Sequence, residues 1–213
     1  MARADVFIFL DDVQFSKNGY INRTQILVSG QPRWLTIPVS YRFGDSICDV
    51  KVSDDNWKSK QLDMLGSAYR SAHYFRDTRA KISELFDSIP SENLAAVNRR
   101  LVEGIAGLLD IECRLYASSD IPTGKLMGDD RLVALIRSVD GATEYLSGRG
   151  GANYQDELKF VDAGISLRYN DVALPQYRQS SEVFTPGLSV IDAAFQLGWA
   201  GAAKLLAKLV PFA

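Results

Sequence analysis

The sequence predicts an α/β protein, with a mostly parallel sheet, flanking helices and a helical insertion around residues 54–109. Three observations predict it. Residues 6–10, Val-Phe-Ile-Phe-Leu, form a continuous apolar run of β-formers, the pattern of a strand covered on both faces. Residues 54–109 carry helical periodicity almost throughout. From Ile111 to Tyr169 strand-like and helix-like segments alternate, the rhythm of parallel βαβ units.

Each element has its own local reason. Residues 34–39, Trp-Leu-Thr-Ile-Pro-Val, read as a strand that Pro38 places at an edge or an end. Residues 47–52 alternate in polarity and read as a third, partly exposed strand. Asp54 or Asp55 can cap a helix carrying Trp57, Leu65, Ala68, Tyr69 and Ala72. Residues 76–88 present Ile82, Leu85 and Phe86, and Pro90-Ser91 opens a helix with Leu94, Val97, Leu101, Ile105 and Leu108 on one face. Strands are expected at 111–116, 143–146 and 165–169, with helices at 129–139 and 153–163. Residues 170–186 form a long irregular stretch with Pro175 and Pro186. Connections above about 12 residues are often functional, so it is a candidate binding loop. A last helix covers 187–198. The Ala- and Leu-rich segment after it reads either as an amphipathic partner-contacting helix or as one docked on its own domain. The domain reading is a single domain over 1–198 and an amphipathic tail over 199–213.

Composition narrows the function. The chain has 213 residues, 46% hydrophobic and 23% charged, which excludes a disordered protein. Its net charge of −2 gives no general attraction to nucleic acid, and no basic–aromatic alternation supports one. Cys48 and Cys113 are far apart and His73 is the only histidine. A structural zinc site is not expected, and no metal site is assigned. Both cysteines read as reduced, mostly buried thiols. No signal-peptide core and no run approaching the roughly 18 apolar residues of a membrane span is present, so a cytoplasmic location is expected.

Ligands of open α/β sheets bind outside the carboxyl ends of the strands. Three polar segments follow predicted strands: Asp11-Asp12-Val13-Gln14, Ser118-Ser119-Asp120, and Ser147-Gly148-Arg149-Gly150-Gly151. Parallel strands would bring all three to one edge. The glycines of the third would let backbone approach an anion. A following helix N-terminus would add N–H donors, and Arg149 a charge-assisted contact to phosphate or carboxylate. The same glycines also suit a plain strand-to-helix turn. Asp11 or Asp12 could act as a general base or hold magnesium with a phosphate, or could simply cap a turn. Residues 18–25, including Asn22 and Arg23, are dense in hydrogen-bonding groups that suit a sugar or an amide. His73 would have to serve any imidazole chemistry alone, and otherwise reads as a partly buried histidine beside two aromatics.

A family resemblance is carried by Asp5-Val6-Phe7-Ile8-Phe9-Leu10-Asp11-Asp12-Val13-Gln14-Phe15, Asn22-Arg23 and Trp34-Leu35-Thr36-Ile37-Pro38-Val39. It continues through Trp57, His73-Tyr74-Phe75, Ser118-Ser119, Tyr145-Leu146-Ser147-Gly148, Gly151, Tyr154 and Leu188-Ser189-Val190-Ile191-Asp192. Over residues 4–198 the chain resembles the WbqC-like protein family. The resemblance implies a bacterial enzyme or accessory protein of O-antigen and other surface-polysaccharide synthesis. It would act on an activated sugar or nucleotide-sugar, and acyl or aminoacyl transfer would fit. A transferase is the first reading. A non-catalytic binding or scaffold protein of the same machinery, or a shortened inactive member, is the alternative. The resemblance carries over no catalytic assignment, and Asp11, Asp12, Asn22 and Arg23 stand as candidate catalytic residues. Ser118, Ser119, Ser147, Gly148, Arg149, Gly150, Gly151 and Tyr154 stand as candidate ligand contacts, with Gln14 and His73 as further candidates. Three departures accompany the likeness. The strand and glutamine–proline–tyrosine-rich loop that usually precede the position of Met1 are absent. Gln61 stands where the family often has histidine. Residues 173–177, Ala-Leu-Pro-Gln-Tyr, replace a histidine- and tyrosine-containing loop.

Overall fold

A computed structural model describes residues 1–89, 93–173 and 175–209. It is α/β, and it divides into two compact units. The smaller unit comprises Ala4–Leu10 and Arg114–Ala173. The larger comprises the remaining described residues.

The smaller unit carries the parallel pairing. Strand β1 (Val6–Phe9) lies parallel to β6 (Arg114–Ala117), with Phe9 opposite Ala117. Strand β7 (Glu144–Gly148) lies parallel to β8 (Ser166–Asn170), with Gly148 opposite Asn170. Among the described residues no ladder joins one pair to the other. The segments after β1 and β6 therefore leave from one end of one ladder, and the glycine-rich segment leaves from a separate one. Helix α5 (Glu157–Asp162) is the crossover between β7 and β8, and α4 (Gly128–Arg137) lies between β6 and β7 in the chain. Ile136, Phe160 and Ile165 form the core of this unit.

The larger unit contains antiparallel β2 (Arg23–Val28) and β3 (Gln31–Thr36), and the short pair β4 (Val39–Ser40) and β5 (Lys51–Val52). Ser29 and Gly30 join β2 to β3, both with positive φ (50° and 74°). A two-residue turn of that kind matches the twist of antiparallel strands. Helices α1 (Trp57–Tyr69), α2 (Phe75–Ser88), α3 (Leu94–Leu108) and α6 (Val190–Ala207) pack around one core. Asn93 caps α3 by accepting from Ala96 N–H at 2.8 Å. Tyr69 of α1 stacks on Phe195 of α6, ring centroids 4.3 Å apart and planes 8° from parallel. Both rings are almost completely buried, each contributing about 1.5–3 kcal/mol of hydrophobic stabilisation.

Some local expectations are corrected. The segment 47–52 is not one strand. Ile47–Asp49 form a 3₁₀ turn and only Lys51–Val52 pair. The ladder that would have used 45–48 is taken up by irregular pairing to the chain after β1: Phe15 N–H donates to Asp45, Ile47 to Val13 and Cys48 to Asp11. Of the helix expected over 153–163 only Glu157–Asp162 (α5) is α-helical, and a 3₁₀ turn, Arg149–Asn153, comes before it. Strand β2 falls where a polar connection ends. Cys48 and Cys113 are not joined in a disulfide, and both are half-buried rather than mostly buried. Residues 199–207 continue α6 past a break at Gly198, and Trp199 and Ala202 are buried in the larger core. Pro90, Ser91 and the last four residues of the expected tail lie outside the described residues.

Candidate functional site

The larger unit holds an open cavity of about 450 Å³ between three pieces of chain. The end of α1 and the turn after it contribute Tyr69, Ser71 and His73, the irregular segment before α6 contributes Arg178, Gln179 and Ser180, and α6 contributes Gln196 and Leu197. A second hollow of about 550 Å³ adjoins it, lined by Gln176–Phe184 residues alone and sharing Arg178, Gln179 and Ser180.

The segment after Pro175 is irregular but tied down. Gln179 is buried, donates its amide to Thr185 O at 2.9 Å and accepts from Thr185 N–H at 2.7 Å. Tyr177 meets Phe184 edge to face and donates its hydroxyl to Asp192 at 2.7 Å. Of the candidate binding loop expected over 170–186, residues 176–185 are a pinned wall of the cavity, whereas Asn170 belongs to β8.

Beneath that wall lies the strongest electrostatic feature of the chain. Asp192, in the first turn of α6, has no exposed surface. It accepts hydrogen bonds from Tyr69 and Tyr177, each at 2.7 Å. Burial raises its carboxyl above the usual range, and the two phenol donors oppose that rise. Both phenols are themselves pushed up, first by burial. Tyr69 O also accepts from Leu27 N–H at 3.2 Å. One buried carboxylate therefore fastens α1, β2 and the irregular segment to α6.

The opposite side of the cavity is shaped by Gly198. Its φ of 74° and ψ of 166° break α6, and an added Cβ would sit 3.0 Å from the Tyr74 ring. The carbonyl of Phe195, one turn before Trp199, accepts from Tyr74 N–H at 3.2 Å, and Ala194 O accepts from Thr78 Oγ1 at 3.1 Å. The break sets Gln196 and Leu197 against the cavity.

His73 lines this cavity, is exposed rather than half-buried, and meets Tyr74 edge to face at 4.7 Å. Arg178 is exposed and has no carboxylate partner among the described residues. Asp11 and Asp12 are half-buried beside the irregular pairing to 45–48, and Gln14 forms an antiparallel bridge to Ser46. Asn22 and Ile37 are joined twice: Asn22 Nδ2 donates to Ile37 O at 2.9 Å, and Ile37 N–H donates to Asn22 O at 2.8 Å. Arg23 lies over the Trp34 ring, 4.0 Å from its centroid.

The remaining candidates belong to the smaller unit. Ser118 is buried and Ser119 exposed, at the 3₁₀ turn after β6. Arg149 pairs with Asp171 at 3.4 Å, both well exposed. The helix after the glycine-rich segment does not offer a free N-terminus. Asp156 caps α5 by accepting from Leu158 N–H at 3.1 Å, and Asp129 accepts from Asp156 N–H at 2.8 Å. Gly151 is closely packed: a Cβ there would meet Gln155 Oε1 at 2.3 Å and Ser147 Oγ at 2.4 Å, so those side chains would have to shift. Ser147 is buried and Tyr154 is 76% exposed. Gly148 and Gly150 are exposed.

Sequence reasoning reached His73 and the irregular segment, but not Arg178, Tyr177, Asp192 or Gln196 as a group. Their contacts span up to 123 residues of chain, as between Tyr69 and Asp192, and no local spacing announces them. Among the described residues no cluster of three His, Cys, Asp or Glu side chains could hold a metal ion, and no helix is long and apolar enough to cross a membrane.

Comparison with known proteins extends these observations. The uncharacterized protein Rv1507c of Mycobacterium tuberculosis is 30% identical over 203 residues, covering 93% of this chain and 86% of that one. No solved structure matches. The model of the WbqC-like protein family matches residues 1–204, including the segment that breaks at Gly198, and the chain belongs to that family.

Proposed function

We propose that this protein is a transferase of bacterial surface-polysaccharide synthesis that binds an activated sugar in the cavity of its larger unit. The observation that carries the reading is the cavity's lining: Arg178, a cation without a carboxylate partner among the described residues, together with the chain's single imidazole, His73, and the amide-bearing Gln196. A guanidinium suits phosphate, and hydroxyl and amide groups suit the sugar. Acyl or aminoacyl transfer is the reaction class that the family likeness favours. The buried Tyr69–Asp192–Tyr177 group holds the cavity walls together.

The test is a thermal-shift screen against nucleotide-sugars, nucleotides and acyl-coenzyme A compounds, with and without magnesium. A ligand at 100 times its dissociation constant stabilises the fold by about 2.7 kcal/mol. A hit that Arg178→Ala weakens about tenfold, and that Asp12→Ala with Arg149→Ala leaves intact, supports the cavity. The opposite pattern moves the ligand to the polar segments after the parallel strands. The exposed setting of the sole histidine favours one second reading, a non-catalytic sugar-binding protein. Binding without turnover would select it.

A further inference from the structure

The hairpin β2–β3 carries a second group of polar and aromatic side chains, apart from the cavity just described. Arg23 pairs with Thr36 and Gln25 with Trp34 across the ladder. Alternation along a strand puts these four side chains on one face. Thr36 is exposed and Trp34 is 37% exposed. Tyr20, at 67% exposed, meets Trp34 edge to face with centroids 5.3 Å apart and planes at 62°. Two large rings meet at a steep angle in a corner at the surface; Arg23 lies over the Trp34 ring, and most of the Tyr20 ring stays open to solvent.

The surroundings of the corner are fixed. Arg23 Nε donates to Gly19 O at 3.1 Å, and Arg23 Nη2 donates to Asn18 O. Asn98 of α3 donates its amide to Ile21 O at 2.7 Å. Asn22 closes the hairpin's open end on Ile37. The segment 18–23 is therefore ordered before any ligand arrives, which lowers the entropy lost on binding. Arg23 spends its donors on neutral carbonyls, and no carboxylate among the described residues neutralises it. The side chains of Gln25 and Thr36 have no hydrogen-bond partner among the described residues.

We infer that this face binds an acidic saccharide. The apolar C–H face of a pyranose ring packs on the open Tyr20 ring beside the exposed part of Trp34, its carboxylate faces Arg23, and its hydroxyls meet Gln25 and Thr36. An aromatic corner alone would take many apolar groups. The uncompensated guanidinium and the adjacent amide and hydroxyl select a ligand that is apolar on one face, hydroxylated at its rim and negatively charged. The inference is independent of the nucleotide-sugar cavity.

Trp34 reports on it directly, because Trp57 and Trp199 are buried at 3% and 4% exposure. The experiment follows the indole N–H resonances of the full chain during titration with a methyl glucuronide, a galacturonate trisaccharide and neutral methyl glucoside. Trp34→Phe assigns the signal. The expected result is a saturable shift of the Trp34 resonance with the two acidic probes at millimolar concentration, weaker with methyl glucoside and reduced by added salt. Tyr20→Ala and Arg23→Gln each weaken it by about fivefold or more. Tyr20 is exposed, so its variant keeps the test valid if Arg23→Gln disturbs the 18–23 segment; unchanged melting temperature confirms that. Absence of a saturable shift overturns the inference, as does equal affinity for the neutral probe or a larger response to uridine. Arg178→Ala should leave the Trp34 shift intact, which separates failure here from failure of the cavity reading.

Discussion

Asp192 is a carboxylate whose environment opposes its charge. Burial raises its pKa, so the folded chain holds that proton at a pH where the unfolded chain has released it. Its contribution to stability is then fully present below the ordinary carboxylate value of about 4 and is lost as pH rises through the raised folded value. Asp192→Asn removes the charge but keeps an acceptor for one phenol. The stability of the natural protein relative to this variant should fall as pH rises from about 4. Urea titrations of both proteins at a series of pH values measure it. A difference that grows with pH would mean that the carboxylate is stabilised as an anion. Asp192→Ala leaves Tyr69 and Tyr177 without their acceptor and should cost about 2–4 kcal/mol near pH 4, and less as pH rises. In the smaller unit Gly151→Ala places a methyl against Gln155 and Ser147, and a cost of about 1–3 kcal/mol is expected in the same assay.

Among the elements, α6 shows best what the sequence could and could not reveal. Its apolar spacing is legible from Leu188 to Phe195, and so is an apolar stretch beyond it. Their union into one element broken at Gly198 is not, because the break is held by Tyr74 and Thr78, more than a hundred residues earlier in the chain. Helices α1 to α3 were readable because their apolar faces repeat locally. Strand β2 was obscured by its polar start at Arg23, although Ser29-Gly30 after Ile26-Leu27-Val28 was a usable turn signal. Strand β7 is legible before the glycine-rich segment, although it runs on through Ser147 and Gly148, whereas the bond from Asp156 N–H to Asp129 of α4 has no local signal. Gly198→Ala tests the break. A residue with a Cβ at φ 74°, tight against Tyr74, should lose about 1–3 kcal/mol of stability in thermal unfolding. It should also weaken any ligand of the cavity, since Gln196 and Leu197 depend on that geometry.

The whole chain has two cores of very different size. The larger unit buries an extended cluster running from Phe15 and Ile26 through Trp57, Leu65, Ile82 and Phe86 to Phe195 and Trp199. The smaller unit's cluster has three buried members, Ile136, Phe160 and Ile165, with Leu132, Val133, Tyr145 and Leu167 packed around them. Hydrophobic burial scales with the apolar area removed from water, so the smaller unit has less to set against its chain entropy. All three tryptophans, Trp34, Trp57 and Trp199, belong to the larger unit, whereas helix and strand occur in both. Urea unfolding followed by tryptophan emission therefore reports the larger unit, and far-ultraviolet circular dichroism reports the two together. The dichroism should begin to change at lower urea than the emission, because β1, β6, β7 and β8 lose order while the larger core persists. Coincident transitions would instead mean that the units unfold as one cooperative body, the ordinary criterion for two-state behaviour. Phe160→Ala sharpens the test. Phe160 has no exposed surface and stacks on Tyr145 at 5.7 Å, so its truncation should cost about 3–5 kcal/mol. If the units are independent, that loss moves only the early dichroism change and leaves the tryptophan transition where it was.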